Sequence, residues 1–281
     1  MENKTTMIIA VFVTAIVCIA GTYVLVGGSD GKNTNESITI TGSTTVQPLM
    51  AEFQEEFENY SDLVLNITGG GSGAGVTAAQ NGTADIGMLS RDLKSSETGL
   101  TPTTIAKDGV VMLVDKNSGV KELSIEQLAK IYSGEYTNWN QVGGSDLSIN
   151  PIIREDGSGT RECLDTILKT VPGFNTDNYN KYSTQASTGA MLIQVQSVKG
   201  AIGYANLGSV SSIDTSKNNI LTINGVDATA DNVRNGTYEL SRNLVLVTKG
   251  EPKGSVEFFI NWIMSPQGQS IVDAKGFVSL A

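Results

Sequence analysis

The sequence predicts a two-lobed α/β protein that is preceded by a transmembrane or signal helix. Strand-like and helix-like patterns alternate from residue 38 onward, which is the signature of an α/β fold. Two extended apolar segments, near residues 110–116 and 242–248, are similar to each other and suit strands that cross between lobes. Because the soluble part is long enough for two modest lobes, we assign residues 38–112 and 246–281 to lobe I and residues 113–245 to lobe II.

The N-terminal segment is apolar. Residues 7–26 contain no charged side chain, and a run of about 20 apolar residues is long enough to span a bilayer as a helix. Lys4 precedes this run and no Lys or Arg follows before Lys32, which predicts a cytoplasmic N-terminus. Residues 1–26 are therefore a signal anchor or a cleaved signal peptide, followed by a flexible linker at 27–37. Both alternatives place the rest of the chain outside the cytoplasm.

Composition excludes several classes of function. The net charge of −10 argues against nucleic acid as a partner, and it also means that any anion site must be built locally. The chain has no His, which rules out His-based triads and His metal sites. Cys18 lies in the apolar run and Cys163 in the soluble part, so no disulfide is expected between them. We expect no metal, no cofactor and no enzymatic activity; a phosphatase is disfavoured because the sequence has no dense acidic metal cluster.

The first part of the soluble chain alternates short strands with helices. Residues 37–42 have the pattern of a strand, and apolar side chains then recur at helical spacing from Val46 to Tyr60. A strand at 63–68 precedes a glycine-rich turn and a helix of small residues through Ala79. Further strands are predicted at 84–89 and 108–116.

The second part begins with a short helix whose start is marked by a capping box. Ser124 is the predicted cap, and Gln127 follows three residues later. A second helix is predicted at 157–171, with Leu164 and Leu168 on its apolar face. The remaining predicted elements are strands at 149–155, 201–207, 219–225 and 244–250 and a helix at 254–265.

Three turns share one arrangement, in which a strand ends, small hydroxyl residues and glycines follow, and a helix begins. They are TGSTT (41–45), GGGSGAG (69–75) and EDGSGTR (155–161). A helix N-terminus exposes free N–H groups and a partial positive charge, so it can bind an anion without a lysine. Arg91 and Arg154 each follow a predicted strand beside these turns and offer the bidentate donors that suit phosphate-like oxygens.

The charged residues around Arg154 have supporting interpretations. Glu155 and Asp156 are adjacent to Arg154 and are candidates to orient it by pairing. Arg161 is expected in the first turn of its helix, pointing at solvent.

Six motifs resemble those of the phosphate-binding proteins of phosphate-specific ABC importers. They occur in the order of that family and span the whole soluble part. The resemblance implies a type II periplasmic-binding-protein fold, with phosphate enclosed in the cleft between two lobes. The motifs are TGSTTVQP (41–48), GGGSGAG (69–75), ADIGMLSRDLK (84–94), YTNWNQVGG (136–144), REDGSGTR (154–161) and SPQGQ (265–269).

The same resemblance implies a set of ligand-binding residues. Some members of the family carry Asp after the serine of the third strand, where it accepts the proton of hydrogen phosphate. This chain has Arg91 there, which leaves Asp92 or Asp156 as the alternative acceptor. The predicted ligand-binding residues are Ser43, Thr44, Thr45, Ser72, Ser90, Arg91, Arg154, Ser158, Gly159 and Thr160.

The function predicted from these observations is high-affinity binding of inorganic phosphate and its delivery to the permease subunits of an ABC transporter. We expect a monomer that works outside the cytoplasm, tethered to the membrane by its N-terminal helix or free after cleavage. Two alternatives remain open at this point. One is a receptor for another tetrahedral oxyanion such as sulfate, molybdate or tungstate, and the other is a membrane-anchored phosphate sensor without a role in transport.

Overall fold

The structure is a computed structural model that describes residues 36–280. The predicted signal anchor (1–26) and residues 27–35 of the predicted linker lie outside the described residues. Within the described part, no helix combines the length and the apolar character needed to cross a membrane.

The described residues form alternating strands and helices, and the predicted α/β class is confirmed. The strands are β1 (Ser37–Gly42), β2 (Val64–Gly69), β3 (Ile86–Leu89), β4 (Leu100–Asp115), β5 (Glu122–Leu123), β6 (Asn150–Arg154), β7 (Ser183–Gln185), β8 (Ala201–Asn206), β9 (Asn218–Ile220), β10 (Thr222–Ile223) and β11 (Ser241–Lys249). The helices are α1 (Gln47–Glu58), α2 (Ser72–Asn81), α3 (Ile125–Tyr132), α4 (Gly159–Leu168), α5 (Thr188–Ser197), α6 (Ala230–Arg234), α7 (Gly254–Ile263) and α8 (Pro266–Ala274).

One curled sheet of nine strands runs through these residues in the order β2-β1-β3-β11-β4-β8-β6-β7, with β9 also paired to β4. Strand β1 is parallel to β2 and β3, and β6 is parallel to β7 and β8. Between these parallel groups, β4 and β11 are antiparallel to each other. The carboxyl ends of parallel strands meet at one edge of a sheet, so the turns after β1, β2 and β3 lie together, as do those after β6 and β7.

Three hydrophobic clusters of the described residues pack on this sheet, and the two larger ones form its main cores. One contains Ile40 and Phe53, together with Ile105 and Ala106 of β4. The other contains residues 110–114 of the same strand. The long strand β4 therefore passes from one core to the other, as expected for a crossing strand. The proposed division into 38–112 with 246–281 and 113–245 stays a prediction, because the described residues form one compact unit.

A buried ion pair lies where β4 and β11 pass between the cores. Asp108 is fully buried, and its Oδ2 accepts hydrogen bonds from Arg242 Nη2 and Nε at 2.7 and 3.0 Å. Asp108 Oδ1 also accepts from the Leu207 backbone N–H. Burial raises the pKa of Asp108, and the pairing with Arg242 opposes this shift.

Several elements agree closely with the sequence, and the capping box of α3 is confirmed. Ser124 Oγ accepts from the Gln127 N–H at 3.1 Å, while Gln127 Oε1 accepts from the Ser124 N–H at 2.8 Å. The predicted strand at 219–225 is instead divided into β9 and β10, which pair with different partners.

Other elements were missed or begin elsewhere. Strand β4 begins at Leu100 instead of 108, because β11 pairs with its residues 100–109. The first half of β4 contains Pro102 and several threonines and lacks an apolar alternation, so only the partner strand reveals it. Helices α5, α6 and α8 and the short strands β5 and β7 were not predicted.

Candidate functional site

The turn after β1 is held by close backbone contacts. A Cβ on Gly42 would lie 2.3 Å from the Met88 carbonyl oxygen, so only glycine fits between β1 and β3. The next residue, Ser43, donates its N–H to the same carbonyl at 2.8 Å. Ser43 Oγ then accepts from the N–H groups of Thr45 and Val46 at 3.2 and 3.4 Å. The serine thus fixes the turn that presents the two threonines of the TGSTT motif.

The second turn follows β2, begins α2 and contacts the residue that follows β3. Ser72, the first residue of α2, is fully buried. Its Oγ accepts from the Ser90 N–H at 3.0 Å and lies 3.3 Å from Ser90 Oγ. These contacts place both predicted serines in one location.

The third turn begins α4 and contacts the second. Ser158 caps this helix by accepting from the Arg161 N–H at 3.3 Å. A Cβ on Gly159 would lie 2.4 Å from Ser72 Oγ and 2.6 Å from Ser90 Oγ. The missing side chain therefore lets the start of α4 approach the two serine hydroxyls.

Arg154 ends β6 and is almost fully buried. Its Nη2 donates to Thr44 Oγ1 at 3.0 Å, and its Nη1 donates to Thr188 Oγ1 at 3.1 Å. Its Nε and Nη2 also donate to the two carboxylate oxygens of Glu155, each at 2.8 Å. Arg154 N–H donates to the hydroxyl of Tyr204, a phenol whose pKa is raised by burial. Glu155 therefore orients Arg154, as the sequence suggested.

A fourth turn, which the sequence analysis missed, completes this group. Ser187 caps α5 by accepting from the Ala190 N–H at 3.0 Å. The following Thr188 has its Oγ1 within 3.2 Å of Thr45 Oγ1, besides its contact with Arg154. The sequence signal was present, since Ser-Thr-Gly is again a hydroxyl and glycine turn before a helix. It was overlooked because the preceding strand, β7, has only three residues.

These contacts bring the predicted residues together into what we call the polar cluster. Thr160 joins it through its Oγ1, which lies 3.1 Å from Thr45 Oγ1. Helices α2, α4 and α5 all begin at the cluster, so three helix N-termini supply N–H groups and partial positive charge there. Apart from the half-buried Thr44, the side-chain-bearing members are at most 7% exposed. The polar cluster comprises Ser43, Thr44, Thr45, Ser72, Ser90, Arg154, Ser158, Gly159, Thr160 and Thr188.

Arg91 follows Ser90 but its guanidinium is engaged elsewhere. Nη1 and Nη2 donate to the two oxygens of Glu97 at 2.8 and 2.7 Å. Nε lies 2.8 Å from Glu162 Oε2 as an ion pair without hydrogen-bond alignment. Burial disfavours the charge of Arg91, but Glu97 and Glu162 outweigh burial and raise its pKa. The structure therefore gives the Arg91 side chain partners other than the polar cluster.

Neither alternative proton acceptor lies in the polar cluster. Asp92 is exposed, and its Oδ1 accepts from Asn243 Nδ2 at 2.8 Å. Asp156 is also exposed and pairs with Arg161 at 2.7 Å, so it does not orient Arg154. Among the described residues, Glu155 is the carboxylate in ion-pair contact with Arg154.

The expectation that Arg161 points at solvent was wrong. Its guanidinium packs over the ring of Tyr179 at 4.9 Å and donates to the Arg154 carbonyl at 3.1 Å. It also lies 3.6 Å from Asp165, one turn later in α4. Tyr179 arrives from a distant segment, which explains why a pattern within α4 could not reveal this packing.

The donor groups of the polar cluster are of the kind that suits a tetrahedral oxyanion. Its single arginine is paired with Glu155, so hydroxyl groups and helix N-termini must provide most of the remaining donors. Charge-assisted hydrogen bonds from a buried site of this kind are strong because water is excluded. Among the described residues, no group of three or more His, Cys, Asp and Glu side chains could hold a metal.

Comparisons with known proteins agree with this chemistry. Residues 28–267 match a family model described as a PBP superfamily domain. The chain is 30% identical to the phosphate-binding protein PstS of Borreliella burgdorferi, over 89% of this chain and 92% of that protein. It is 29% identical to PstS of Bacillus subtilis, over 98% of this chain and 94% of the relative.

Solved structures give the same result. A putative phosphate ABC transporter substrate-binding protein from Clostridium perfringens, solved with bound phosphate, is 37% identical and superposes with a TM-score of 0.81. This match covers 88% of this chain and all of the other. An ABC-type phosphate transport receptor from Vibrio cholerae is 30% identical with a TM-score of 0.70, covering 86% of this chain and 99% of the receptor.

Proposed function

This chain belongs to the PBP superfamily and, within it, to the family of PstS phosphate-binding proteins, and we propose on that basis that it binds inorganic phosphate and delivers it to an ABC importer. The observation that carries the proposal is the polar cluster. Four turns supply hydroxyl groups to one location around Arg154, and three of them begin helices of ten residues. This donor set fits a small oxyanion with several acceptor oxygens.

The proposed ligand-binding residues are those of the polar cluster. Relative to the prediction from sequence, Thr188 is added, because it contacts both Arg154 and Thr45. Arg91 is assigned a different role, since Glu97 and Glu162 occupy its guanidinium. We propose that the chain binds its ligand without converting it chemically, because its relatives are named as binding proteins.

The location and partners of the chain are part of the proposal. We propose that it acts outside the cytoplasm, held at the membrane by the apolar run at 7–26 or released after cleavage there. The uncharged run and the preceding Lys4 support this orientation. The proposed protein partner is the permease of an ABC transporter, and the proposed state of the chain is a monomer.

Calorimetric titration of the full chain, solubilised in detergent and stripped of ligand, tests the proposal. Phosphate, sulfate and molybdate are titrated separately at two pH values. Tight binding of phosphate with no heat from the other two is the expected result. Binding of sulfate or molybdate without binding of phosphate would keep the proposed site but show that its ligand is another oxyanion. No binding of any of the three anions would overturn the proposal.

A further inference from the structure

Four charged side chains form a compact group beside the polar cluster, which we call the charged clasp: Arg91, Lys94, Glu97 and Glu162. Three of them follow β3 within one short segment. Glu162 comes from the first turn of α4. The clasp therefore connects the turn that ends β3 with the helix that begins at Ser158.

Glu97 organises the part of the clasp that follows β3. Its carboxylate accepts two hydrogen bonds from Arg91, at 2.7 and 2.8 Å, and a third from the Lys94 backbone N–H at 2.9 Å. Hydrogen bonds from Arg91 and Lys94 outweigh burial and lower the pKa of Glu97, which keeps this carboxylate ionised. If Glu162 is removed, Arg91 keeps its pair with Glu97 and the Lys94 backbone N–H keeps its hydrogen bond to the same carboxylate, whereas the Lys94 ammonium loses its contact with Glu162.

Glu162 bridges the two cations. Its Oε1 lies 2.7 Å from Lys94 Nζ and its Oε2 lies 2.8 Å from Arg91 Nε. The Arg91 side chain is 8% exposed and that of Glu162 is 31% exposed. Two cations and two carboxylates balance in charge, so burial leaves no net charge uncompensated.

The clasp is adjacent to the ligand site on both of its sides. Arg91 directly follows Ser90, and Glu162 is two residues after Thr160. Gly159, in the same turn of α4, approaches Ser90 so closely that a Cβ would clash with its hydroxyl. Any opening that separates the start of α4 from Ser90 must therefore also pull Glu162 away from Arg91 and Lys94.

We propose that the charged clasp holds the polar cluster closed and sets the rate at which bound ligand leaves, with Arg91 and Glu162 acting as positioning residues. This inference rests on the proposed function. The clasp residues do not belong to the polar cluster and so do not contact the ligand. The clasp therefore affects the dissociation rate constant of the ligand more than its association rate constant. Ion pairs of this exposure each contribute a factor of about two to five, so losing both pairs of Glu162 should speed release roughly tenfold.

Stopped-flow release of phosphate from the full chain tests the clasp with the variant Glu162→Gln. Glu126→Gln is the matched control, because Glu126 also lies in the first turn of a helix and pairs with a lysine, Lys130 at 3.2 Å. We expect the dissociation rate constant to rise about tenfold in Glu162→Gln, with the association rate constant changed less than about twofold. The control should match the wild type.

A second variant shows whether the effect comes from the contact between Lys94 and Glu162 or from a general destabilisation of the fold. Lys94→Gln should speed release less than Glu162→Gln, and the double variant should be no faster than Glu162→Gln alone, because both changes remove the same contact. An unchanged release rate in Glu162→Gln, an equal increase in the control, or fully additive effects would each overturn the proposal.

Amide hydrogen exchange of the ligand-free protein tests the clasp independently of the proposed function. If the wild type binds no phosphate, the function fails, but the clasp still predicts faster amide exchange at 90–97 and 158–162 in Glu162→Gln than in the control. Equal exchange in the two variants would refute the clasp whether or not phosphate binds.

Discussion

Replacement of Arg154 by lysine is the sharpest test of the ligand site. Arg154 is almost fully buried and donates to Thr44, Thr188 and both oxygens of Glu155 at 2.8–3.1 Å. Lysine keeps the positive charge but has no planar fork of donors, so it cannot pair with Glu155 and reach both threonines at once. The substitution therefore removes the planar arrangement of hydrogen-bond donors and keeps the positive charge.

The expected loss follows from the contacts. Hydrogen bonds to a charged group contribute about 1.5–3 kcal/mol each. If lysine forfeits the equivalent of one or two of them towards the ligand, affinity falls by about 3 kcal/mol, or roughly a hundredfold in Kd. The uncharged variant Arg154→Ala should lose more, because it also leaves Glu155 as an unpaired anion beside the bound oxyanion.

Calorimetric titration with phosphate measures the effect, and thermal unfolding checks that the fold is intact. Arg234→Lys is the control, since Arg234 is an arginine paired with Asp231 on α6, half exposed. A Kd for Arg154→Lys within threefold of the wild type, in a folded protein, would refute the assignment of Arg154. So would an equal loss of affinity in Arg234→Lys.

Three further substitutions probe the site and the strands that carry it. Thr188→Val removes a hydroxyl that accepts from Arg154 and should weaken phosphate binding about tenfold by calorimetry, whereas Thr166→Val, on the exposed surface of α4, should leave Kd unchanged. Gly159→Ala places a methyl group 2.4 Å from Ser72 Oγ and should abolish measurable binding; Gly189→Ala, whose methyl group would lie 4.0 Å from Ser187 Oγ, should retain it. Asp108→Asn leaves a buried arginine without its anion and should lower the free energy of unfolding by about 3–5 kcal/mol, measured by urea denaturation; a loss under 1 kcal/mol would contradict the importance of this pair.

The sequence alone predicted the fold class and most of the residues that meet in the polar cluster, because both depend on local patterns. Strand ends followed by hydroxyl and glycine residues and then a helix are visible within five to seven residues, and three of the four turns were found in this way. The capping box of α3 is equally local, and it was confirmed in detail.

Tertiary structure decided the remainder, because it depends on which distant residues meet. Arg91 and Arg154 look alike in sequence, each following a strand beside a serine turn. They differ because Glu162 and Glu97 meet the first, whereas Thr44 and Thr188 meet the second. The first half of β4 likewise has no apolar alternation of its own and becomes a strand only through pairing with β11. Charge partners and strand partners that are far apart in sequence carry no local signal, and for this reason only the folded chain shows that Arg154 lies in the polar cluster and that Arg91 pairs with Glu97 and Glu162 instead.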